Sequence, residues 1–318
     1  MTRTADYLLN GLKNRGVFPA SQSLFDDAEI LSTADDIIMS TIVPIVVSLR
    51  EEFFVTKSYQ NIVDGQEDYV IPYRAIGRIL REIKLVGDIV SSKRKLTQVG
   101  IGDEHYFRSS STPQGFYMCG DKVVLVPKPS VSGNQLELWW LMQPGLLVPT
   151  TSAAQIVSFA VNGVDPLLTD VVCSSIPTAW QNLAVVDLIQ GKQGCQTIAY
   201  DIVASTVNLT TNTIQFTTAD IPTNLQAGDW IALQRQSPVI QIPDEMYHLL
   251  ESHIAQHLLT SLGDFEGAER LQKEMTDEEM RIKLLLAPRV QGEPKKIINR
   301  SGLLRGSRSR YRFGWVSR

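Results

Sequence analysis

The amino-acid sequence predicts an α+β fold, with a helical bundle formed by the N- and C-terminal helices, a large inserted β-rich region and an extended basic C-terminal arm. Three observations lead to this prediction. Apolar residues recur at helical spacing near both ends of the chain, and short apolar runs separated by turn residues fill the middle. Lys and Arg dominate residues 288–318. A chain of 318 residues is long enough to bury more than one hydrophobic core.

The N-terminal helices of the bundle are predicted within residues 1–55. Acidic residues near the start of the second and third apolar stretches favour the positive end of a helix, and Thr33 is a residue type that caps helices. Pro44 predicts a kink or a break in the third helix, since proline removes a backbone hydrogen bond. The three helices are predicted over residues 5–12, 23–31 and 33 to about 53.

Residues 56–149 are predicted to form a β-rich region, because short strand-like runs alternate with glycine-containing turns. Gly120-Asp121 stands between two apolar runs and predicts a tight hairpin. Trp139 and Trp140 are neighbours in one predicted strand, so their rings should face opposite sides of the sheet, one in the core and one at a surface or interface. The strands are predicted over residues 55–62, 68–72, 76–86, 95–99, 115–118, 122–127 and 136–142.

Residues 150–235 are predicted to be a separate, inserted β domain. This stretch is poor in Lys and Glu and rich in Val, Ile and Thr, which favour strands. Alternating residues on both sides of the polar turn 210–213 predict a hairpin, and Gly228-Asp229 predicts a turn into a final strand.

Residues 236–287 are predicted to supply the C-terminal helices that complete the bundle. Asp244 follows Pro243 and is suited to cap the first of these helices, which runs to about residue 262. Gly263-Asp264 should break it, and a second helix is predicted over residues 265–286, before Pro288.

Residues 288–318 are predicted to form a basic C-terminal arm. This segment carries a formal charge of +8, so residues 1–287 carry −12 of the net −4. Such segregation predicts an anionic partner for the arm, either an acidic protein surface or the phosphates of a nucleic acid. Basic residues interleaved with apolar and aromatic ones are typical of interface anchors. The predicted binding residues are Lys295, Lys296, Arg300, Leu303, Leu304, Arg305, Arg308, Arg310, Tyr311, Arg312, Phe313 and Trp315.

The sequence predicts neither catalytic residues nor a metal or cofactor site. Phosphate-binding, dinucleotide-binding and nucleophile-elbow motifs are absent from it. His253 and His257 share a helix face with His248 one turn earlier, but the Glu of a zinc-protease motif does not follow His253, so helix packing is the expected role. Paired carboxylates at 26–27, 35–36, 51–52 and 278–279 are expected to cap helices or face solvent rather than converge as a glycosidase pair.

No membrane association is expected from the sequence. Its most apolar run, residues 37–49, is interrupted by Ser40, Thr41, Pro44 and Ser48. The N-terminus lacks the layout of a secretion signal, and the three cysteines are widely spaced. These features favour synthesis in a reducing cytoplasm.

Three stretches give the chain a resemblance to a known family. They are Gly-Val-Phe-Pro-Ala at 16–20 with the helical stretches at 27–31 and 51–54, Gly-Gln-Glu-Asp-Tyr-Val-Ile-Pro at 65–72, and Ile-Pro-Asp-Glu at 242–245 with Gly-Asp at 263–264 and Pro-Arg-Val at 288–290. In this layout the chain resembles bacteriophage head-to-tail adaptor (connector) proteins. Residues 150–235 have no counterpart in minimal adaptors.

The resemblance implies a structural virion protein of the phage neck, located between capsid and tail. It implies a ring of about twelve copies (a dodecamer) that docks on the portal protein around the channel for double-stranded DNA, with a downstream tail or neck protein below. The basic arm would then bind the portal. The alternative from a different class is a tail or neck protein whose β domain binds a host glycan or another tail protein. A tail-associated hydrolase is the enzymatic alternative.

Overall fold

The computed structural model describes residues 3–14, 25–87, 93–102, 112–192 and 194–286. With about 32% helix and 34% strand, the fold is α+β, which confirms the predicted class. A π-helical segment, Ile38–Ile42, joins α2 to α3, and a 3₁₀ turn, Asp244–Met246, leads into α4. The α-helices among the described residues are α1 (Ala5–Asn14), α2 (Asp27–Ile37), α3 (Val43–Arg50), α4 (Tyr247–Ser261) and α5 (Phe265–Leu286).

The strands between α3 and α4 fall into two regions. The first region comprises β1 (Val55–Asn61), β2 (Asp68–Val70), β3 (Ala75–Val86), β4 (Lys93–Lys95), β5 (Thr97–Gln98), β6 (Gly115–Cys119), β7 (Lys122–Val126), β8 (Gln135–Met142) and β9 (Leu146–Leu147). The second comprises β10 (Ala154–Val161), β11 (Leu168–Cys173), β12 (Val185–Ile189), β13 (Thr197–Val203), β14 (Thr206–Asn208), β15 (Thr213–Thr217), β16 (Trp230–Leu233) and β17 (Gln236–Ser237).

Helices from both ends of the chain share one hydrophobic core, the helical core of this article. Ile42 of the π segment and Leu250 of α4 are both fully buried in it, although more than 200 positions separate them. The backbone also connects the two ends of the chain, because the Ala5 amide donates to the Pro238 carbonyl at 2.9 Å. Other buried members are Leu8, Leu12, Ile30, Leu31, Val46, Ile254, Met275 and Ile282.

The second predicted helix begins at Asp27, later than expected. It continues through the π-helical segment into the third helix, so the predicted boundary between the two is absent. Asp26 caps α2 at Asp27 in a capping box with Glu29. Thr33 is therefore not a cap: it lies within α2, and its hydroxyl donates to the Glu29 carbonyl one turn earlier. Pro44 does not break the helix either. Val43 donates to the Ile38 carbonyl in a π-type bond, and the helix continues past the proline.

The helical stretch Asp27–Phe53 is long and apolar enough to span a membrane by length and composition alone, since an 18-residue window within it has a mean hydropathy of 1.7. The core helix of a soluble protein passes the same test. Here Ile30, Ile38, Ile42 and Val46 of this stretch are buried in the helical core.

Two four-stranded sheets of the first region enclose a second core. Their strand orders are β1-β8-β3-β4 and β2-β7-β6-β5. The predicted hairpin at Gly120-Asp121 is confirmed, since β6 and β7 pair up to Cys119 opposite Lys122. Trp140 is fully buried between the sheets while Trp139 lies on the outer face, as the alternation of a strand predicts.

Strands β10–β16 of the second region form one seven-stranded sheet whose two end strands meet at a single connection, here called the closed sheet. Its order is β13-β12-β16-β10-β11-β15-β14, so β13 and β14 are the end strands although they are consecutive in the chain. Ala204 and Ser205 connect them. Ala204 hydrogen-bonds with Leu183 and Ala184 on the β12 side, and the Ser205 amide donates to Gln215 of β15. The closed sheet encloses its own core around Phe216. The hairpin predicted around 210–213 is confirmed as β14 and β15.

The chain enters and leaves the closed sheet at adjacent points. β9 and β17 pair in parallel, with Leu147 opposite Ser237. Beyond them, the backbone passes into the helical core through Ile240 and Ile242. At the C-terminal side, the break at Gly263-Asp264 is confirmed, and Gly263 has a positive φ of 82° that favours glycine.

Candidate functional site

The predicted binding residues of the basic arm lie outside the described residues. They are Lys295, Lys296, Arg300, Leu303, Leu304, Arg305, Arg308, Arg310, Tyr311, Arg312, Phe313 and Trp315. Their binding role therefore stays a prediction. The described residues offer three other features that bear on function: a buried polar junction between two regions, an acidic groove on α4 and α5, and an exposed apolar loop on the closed sheet.

A buried ion pair joins the first β region to the closed sheet. The Arg74 Nη2 atom lies 2.5 Å from Oδ2 of Asp187 on β12, and both side chains are at most 5% exposed. Asp187 also accepts from the backbone amides of Asp201 and Arg235, at 3.0 and 2.8 Å. Both carboxylate oxygens are thereby satisfied, which offsets the cost of burying the charge.

Polar side chains extend this ion pair to form a junction cluster, which comprises Tyr73, Arg74, Asp187, Asp201 and Gln234. The Tyr73 hydroxyl donates to Asp201 at 2.7 Å, and the Gln234 amide donates to Asp201 at 2.8 Å. Burial lowers the pKa of Arg74, but its hydrogen bond and charge interaction with Asp187 outweigh this, so the net pKa is raised. The guanidinium stays charged, and the cluster fixes the closed sheet to the rest of the chain.

No local sequence signal marks this cluster, because its members are contributed by distant strands and loops. Asp201 has a positive φ of 58° in the middle of β13. Such a conformation is uncommon for a non-glycine residue and places the Asp201 amide toward Asp187. The strained backbone at Asp201 is therefore maintained by its hydrogen bond within the cluster.

Trp139 belongs to an ion-pair network on the outer face of the β1-β8-β3-β4 sheet. Its indole N–H donates to Glu137 at 2.8 Å, and the Lys84 ammonium stands 4.9 Å from its ring centroid. Glu137 also binds Lys93 at 2.7 Å. The hydrogen bond and charge of Lys93 hold the pKa of Glu137 below its usual value, although burial raises it. With Lys84 over its face, Trp139 does not present an open platform for stacking a sugar ring.

The histidines of α4 have separate environments. The His248 Nδ1 atom lies 3.0 Å from Glu278 on α5, which is an exposed interhelix contact. Burial lowers the pKa of His253, which favours its neutral form. Within the described parts of the chain, no group of three or more His, Cys, Asp or Glu side chains is positioned to hold a metal ion.

Cys173 and Cys195 are not activated nucleophiles, and the paired carboxylates on the surface do not form an acid pair. Burial raises the pKa of Cys173 to about 12 and that of Cys195 to about 11, so both thiols stay protonated near neutral pH. Asp27, Glu51 and Glu279 form ion pairs with Lys13, Arg81 and Lys283 on separate surfaces. Together with the Asp26 cap and the Glu278 contact, these positions do not converge in one cleft.

Asp35 is the exception among the paired carboxylates, and its predicted place at a helix start is wrong. It lies in the last turn of α2, where its carboxylate accepts from the Leu147 amide at 2.9 Å. Burial raises the pKa of Asp35 to about 7. Asp35 therefore fastens β9, at the entrance to the closed sheet, to the helical core.

An acidic groove of about 580 Å³ runs between the start of α4 and the last three turns of α5. Four acids and one arginine line it, with Ile282 and Leu285 as apolar members. Within the described residues, Glu274 and Asp277 have no ion-pair partner. Three other glutamates of α5 do form ion pairs, each with a Lys or Arg of the same helix. The charged lining comprises Glu245, Glu274, Asp277, Glu278 and Arg281, and His248 completes it.

An apolar loop, residues 162–167, connects β10 to β11 at one end of the closed sheet. Val164 is 96% exposed and Leu167 is 72% exposed. The loop is nonetheless ordered by hydrogen bonds, because Asn162 Oδ1 accepts from the Val164 and Asp165 amides at 2.8 and 3.1 Å. These two exposed apolar side chains on one ordered loop offer a small apolar surface for contact. This loop was not predicted from the sequence, where its signal is the Asn-Gly turn followed by Val and Leu.

A small pocket of about 50 Å³ lies where the helical core, the first β region and the closed sheet meet. Phe53, Met142 and Gln196 are among its lining residues. Its remaining lining is mostly apolar or amide side chains, which fits a packing defect between regions better than a catalytic cleft.

No protein-family model matches this chain, and no curated protein matches it significantly. The resemblance to adaptor proteins therefore rests on the layout and the short stretches quoted above.

Proposed function

We propose that this chain is a structural protein of the phage neck, a head-to-tail adaptor that docks as a ring on the portal and links it to the tail around the DNA channel. The observation that carries the proposal is charge segregation. Residues 1–287 carry a formal charge of −12, and the arm at 288–318 carries +8 with apolar and aromatic residues interleaved.

Each charged part suits one task of an adaptor. A negatively charged ring wall repels the phosphates of passing DNA, which lets the duplex slide rather than bind. A basic arm with aromatic anchors adds charge complementarity and buried area to a contact between two rings. About twelve arms acting together would bind far more tightly than one arm, because each bound arm raises the effective concentration of the others.

The shared helical core supports a bundle as the docking platform. Helices from residues 5–50 and 247–282 pack together while the β regions extend from the middle of the chain. In the proposed ring, this bundle lies under the portal and the closed sheet points away from it. Copies would contact one another head to tail, with different surfaces on the two sides, so that the ring can close.

Light scattering on chromatographed mixtures tests the proposal. The full chain and portal rings of the phage that encodes it are mixed, and we expect co-migration with about twelve copies per portal ring. Deletion of residues 301–318 should abolish co-migration but leave the circular dichroism of the chain unchanged. Phage heads assembled with the deleted chain should leak DNA. Heads that retain DNA and bind tails normally would contradict the arm's role.

Matched arm variants separate charge from anchoring. Replacing Arg305, Arg308, Arg310 and Arg312 with Gln should weaken portal binding most at low salt, where charge attraction is strongest. Replacing Tyr311, Phe313 and Trp315 with Ser should weaken binding at low and high salt alike. Replacing Lys192 on the closed sheet with Gln provides the control, and it should leave binding unchanged.

The apolar loop supports a second candidate function for the closed sheet, which is binding another protein of the tail. Residues 150–191 contain no Lys, Arg or Glu, so an apolar contact is more suitable there than an ionic one. Replacing Val164 and Leu167 with Ser should abolish attachment of the downstream tail protein while leaving portal binding intact. Glycan arrays probed with the full chain test the carbohydrate alternative.

A further inference from the structure

We propose that the acidic groove of α4 and α5 binds the basic segment at residues 295–300 of the same chain. The segment has the sequence Lys-Lys-Ile-Ile-Asn-Arg and begins nine positions after the last residue of α5. This proposal does not require a portal. If the adaptor function is correct, the portal must displace the segment from the groove before the arm can bind.

The groove and the segment are complementary in charge. Glu245, Glu274, Asp277 and Glu278 against Arg281 leave the groove with a formal charge of −3 when His248 is neutral. The segment carries +3 from its two lysines and one arginine. Because Glu274 and Asp277 have no ion-pair partner among the described residues, the incoming cations would not have to break existing pairs there.

The groove and the segment also match in apolar content. Ile282 and Leu285 line the groove, and Met280 and Leu284 on the same turns are 64% and 69% exposed. Ile297 and Ile298 stand between the cations of the segment. Met280, Leu284 and Leu285 are exposed apolar side chains on the last turns of a helix with six acids, so a covering partner that is both basic and apolar suits this surface, whereas Ile282 is already buried in the helical core.

The connection between the two is long enough. From Glu274 to Leu285 the groove extends along α5 for about 17 Å at the helical rise per residue. A six-residue extended segment spans about 20 Å, and the eight linking residues 287–294 reach up to about 27 Å. The chain can therefore double back along its own helix. A tether this short gives a high effective concentration, which favours the same chain over a second copy.

Disulfide trapping in the full chain tests the proposal. In a Cys119→Ser background, Met280→Cys, next to the groove residue Arg281, is combined with Asn299→Cys in the segment, which changes no charge in either partner. Oxidised glutathione should link them within one chain at least about tenfold faster than it links Asn299→Cys to Thr210→Cys, an exposed position on the closed sheet. Mass spectrometry of the linked peptides identifies the product.

Charge reversal provides the specificity control. Adding Glu274→Lys and Asp277→Lys should reduce the trapping rate to that of the Thr210→Cys control, and so should 0.5 M salt, at which charge attraction over a few ångströms is largely screened. Circular dichroism checks that these exposed replacements leave the fold intact. Equal rates in the groove and control variants would overturn the proposal. Faster linkage between separate Met280→Cys and Asn299→Cys chains would also overturn it, since the occupant would then be a second copy.

The proposed function and this inference can fail separately. If the arm binds portal but does not trap in the groove, the adaptor proposal stands and the groove proposal is wrong. If trapping occurs but the arm does not bind portal, the groove proposal stands and the adaptor proposal is wrong.

Discussion

The helical core and the closed sheet are built in opposite ways. The helical core combines residues 5–50 with residues 240–282, so it forms only after both ends of the chain are present. The closed sheet uses residues 154–233 alone, and its core around Phe216 contains no residue from either end. Contacts between distant residues carry a larger entropic cost of loop closure than local ones. The difference predicts that the closed sheet is the more autonomous of the two.

The contacts that attach the closed sheet to the rest of the chain are polar, in contrast to the two apolar cores. Arg74 and Asp187 join the first β region to the closed sheet, Gln241 donates to Thr197 at 2.9 Å, and Asp35 holds β9 at the entrance. Polar contacts need specific geometry, so they define one orientation between the regions more strictly than apolar packing does. Four predictions test this comparison, in order of decreasing effect.

The largest effect is expected from removing a core side chain from the closed sheet. Phe216→Ala should lower its free energy of unfolding by about 4 kcal/mol, because it leaves a cavity in a fully buried site. Hydrogen exchange should then increase in β10–β16 but not in α4. The matched change Leu250→Ala in the helical core should increase hydrogen exchange in α4 but not in β10–β16. Equal loss of protection in both regions would mean that the two unfold as one unit.

Breaking the junction ion pair should cost somewhat less. Arg74→Ala leaves the Asp187 charge buried without its partner, which should lower the free energy of unfolding by about 3 kcal/mol. The double variant Arg74→Met with Asp187→Leu should recover most of this loss, since it removes both charges. Urea denaturation measures each value. A double variant as unstable as Arg74→Ala would show that the Asp187 bonds to backbone amides matter more than the pair.

Asp35 should make stability depend on pH. Its pKa is raised from 3.8 to about 7 when folded, so between these pH values the folded chain holds a proton that the unfolded chain has lost. The stabilisation is fully present below about pH 4 and is lost as pH rises through about 7. Relative to Asp35→Asn, the natural chain should lose at least about 1 kcal/mol between pH 5 and pH 8. Parallel pH profiles of the two chains would contradict this account.

The smallest effects test whether α2, the π segment and α3 form one continuous helix. Asp26→Ala should cost about 1 kcal/mol, because Asp26 is the observed cap. Thr33→Ala should change the free energy of unfolding by less than about 0.5 kcal/mol, since its hydroxyl bonds only to a carbonyl within the helix. Thermal denaturation compares them. A larger effect at Thr33 would indicate a helix start there.

The features that sequence reasoning predicted correctly have local causes. The Gly120-Asp121 hairpin, the opposite orientation of Trp139 and Trp140, and the break at Gly263 depend on backbone geometry over a few residues. The error at Thr33 arose because packing over a long apolar stretch outweighed a local capping signal. Of the kink or break predicted at Pro44, the break does not occur, and a π-type irregularity lies directly before the proline.

The candidate site was harder to predict, because its described parts depend on contacts between distant residues. Arg74 and Asp187 are 113 positions apart, and nothing in the residues around either predicts the pair. In the sequence, Asp35 resembles an acid at a helix start. Its bond to the Leu147 amide of β9 is visible only in the folded chain. The acidic groove needs the antiparallel contact of α4 with α5 to bring Glu245 near Glu278. Charge segregation was available from the sequence because it depends on composition alone.

A three-dimensional reconstruction of the phage neck by electron microscopy tests the central claim most directly. We expect one ring of this chain between portal and tail, with its acidic residues toward the DNA and residues 301–318 in contact with portal subunits. A neck complete without this chain, or a chain located at the tail tip with the arm away from the portal, would contradict the account.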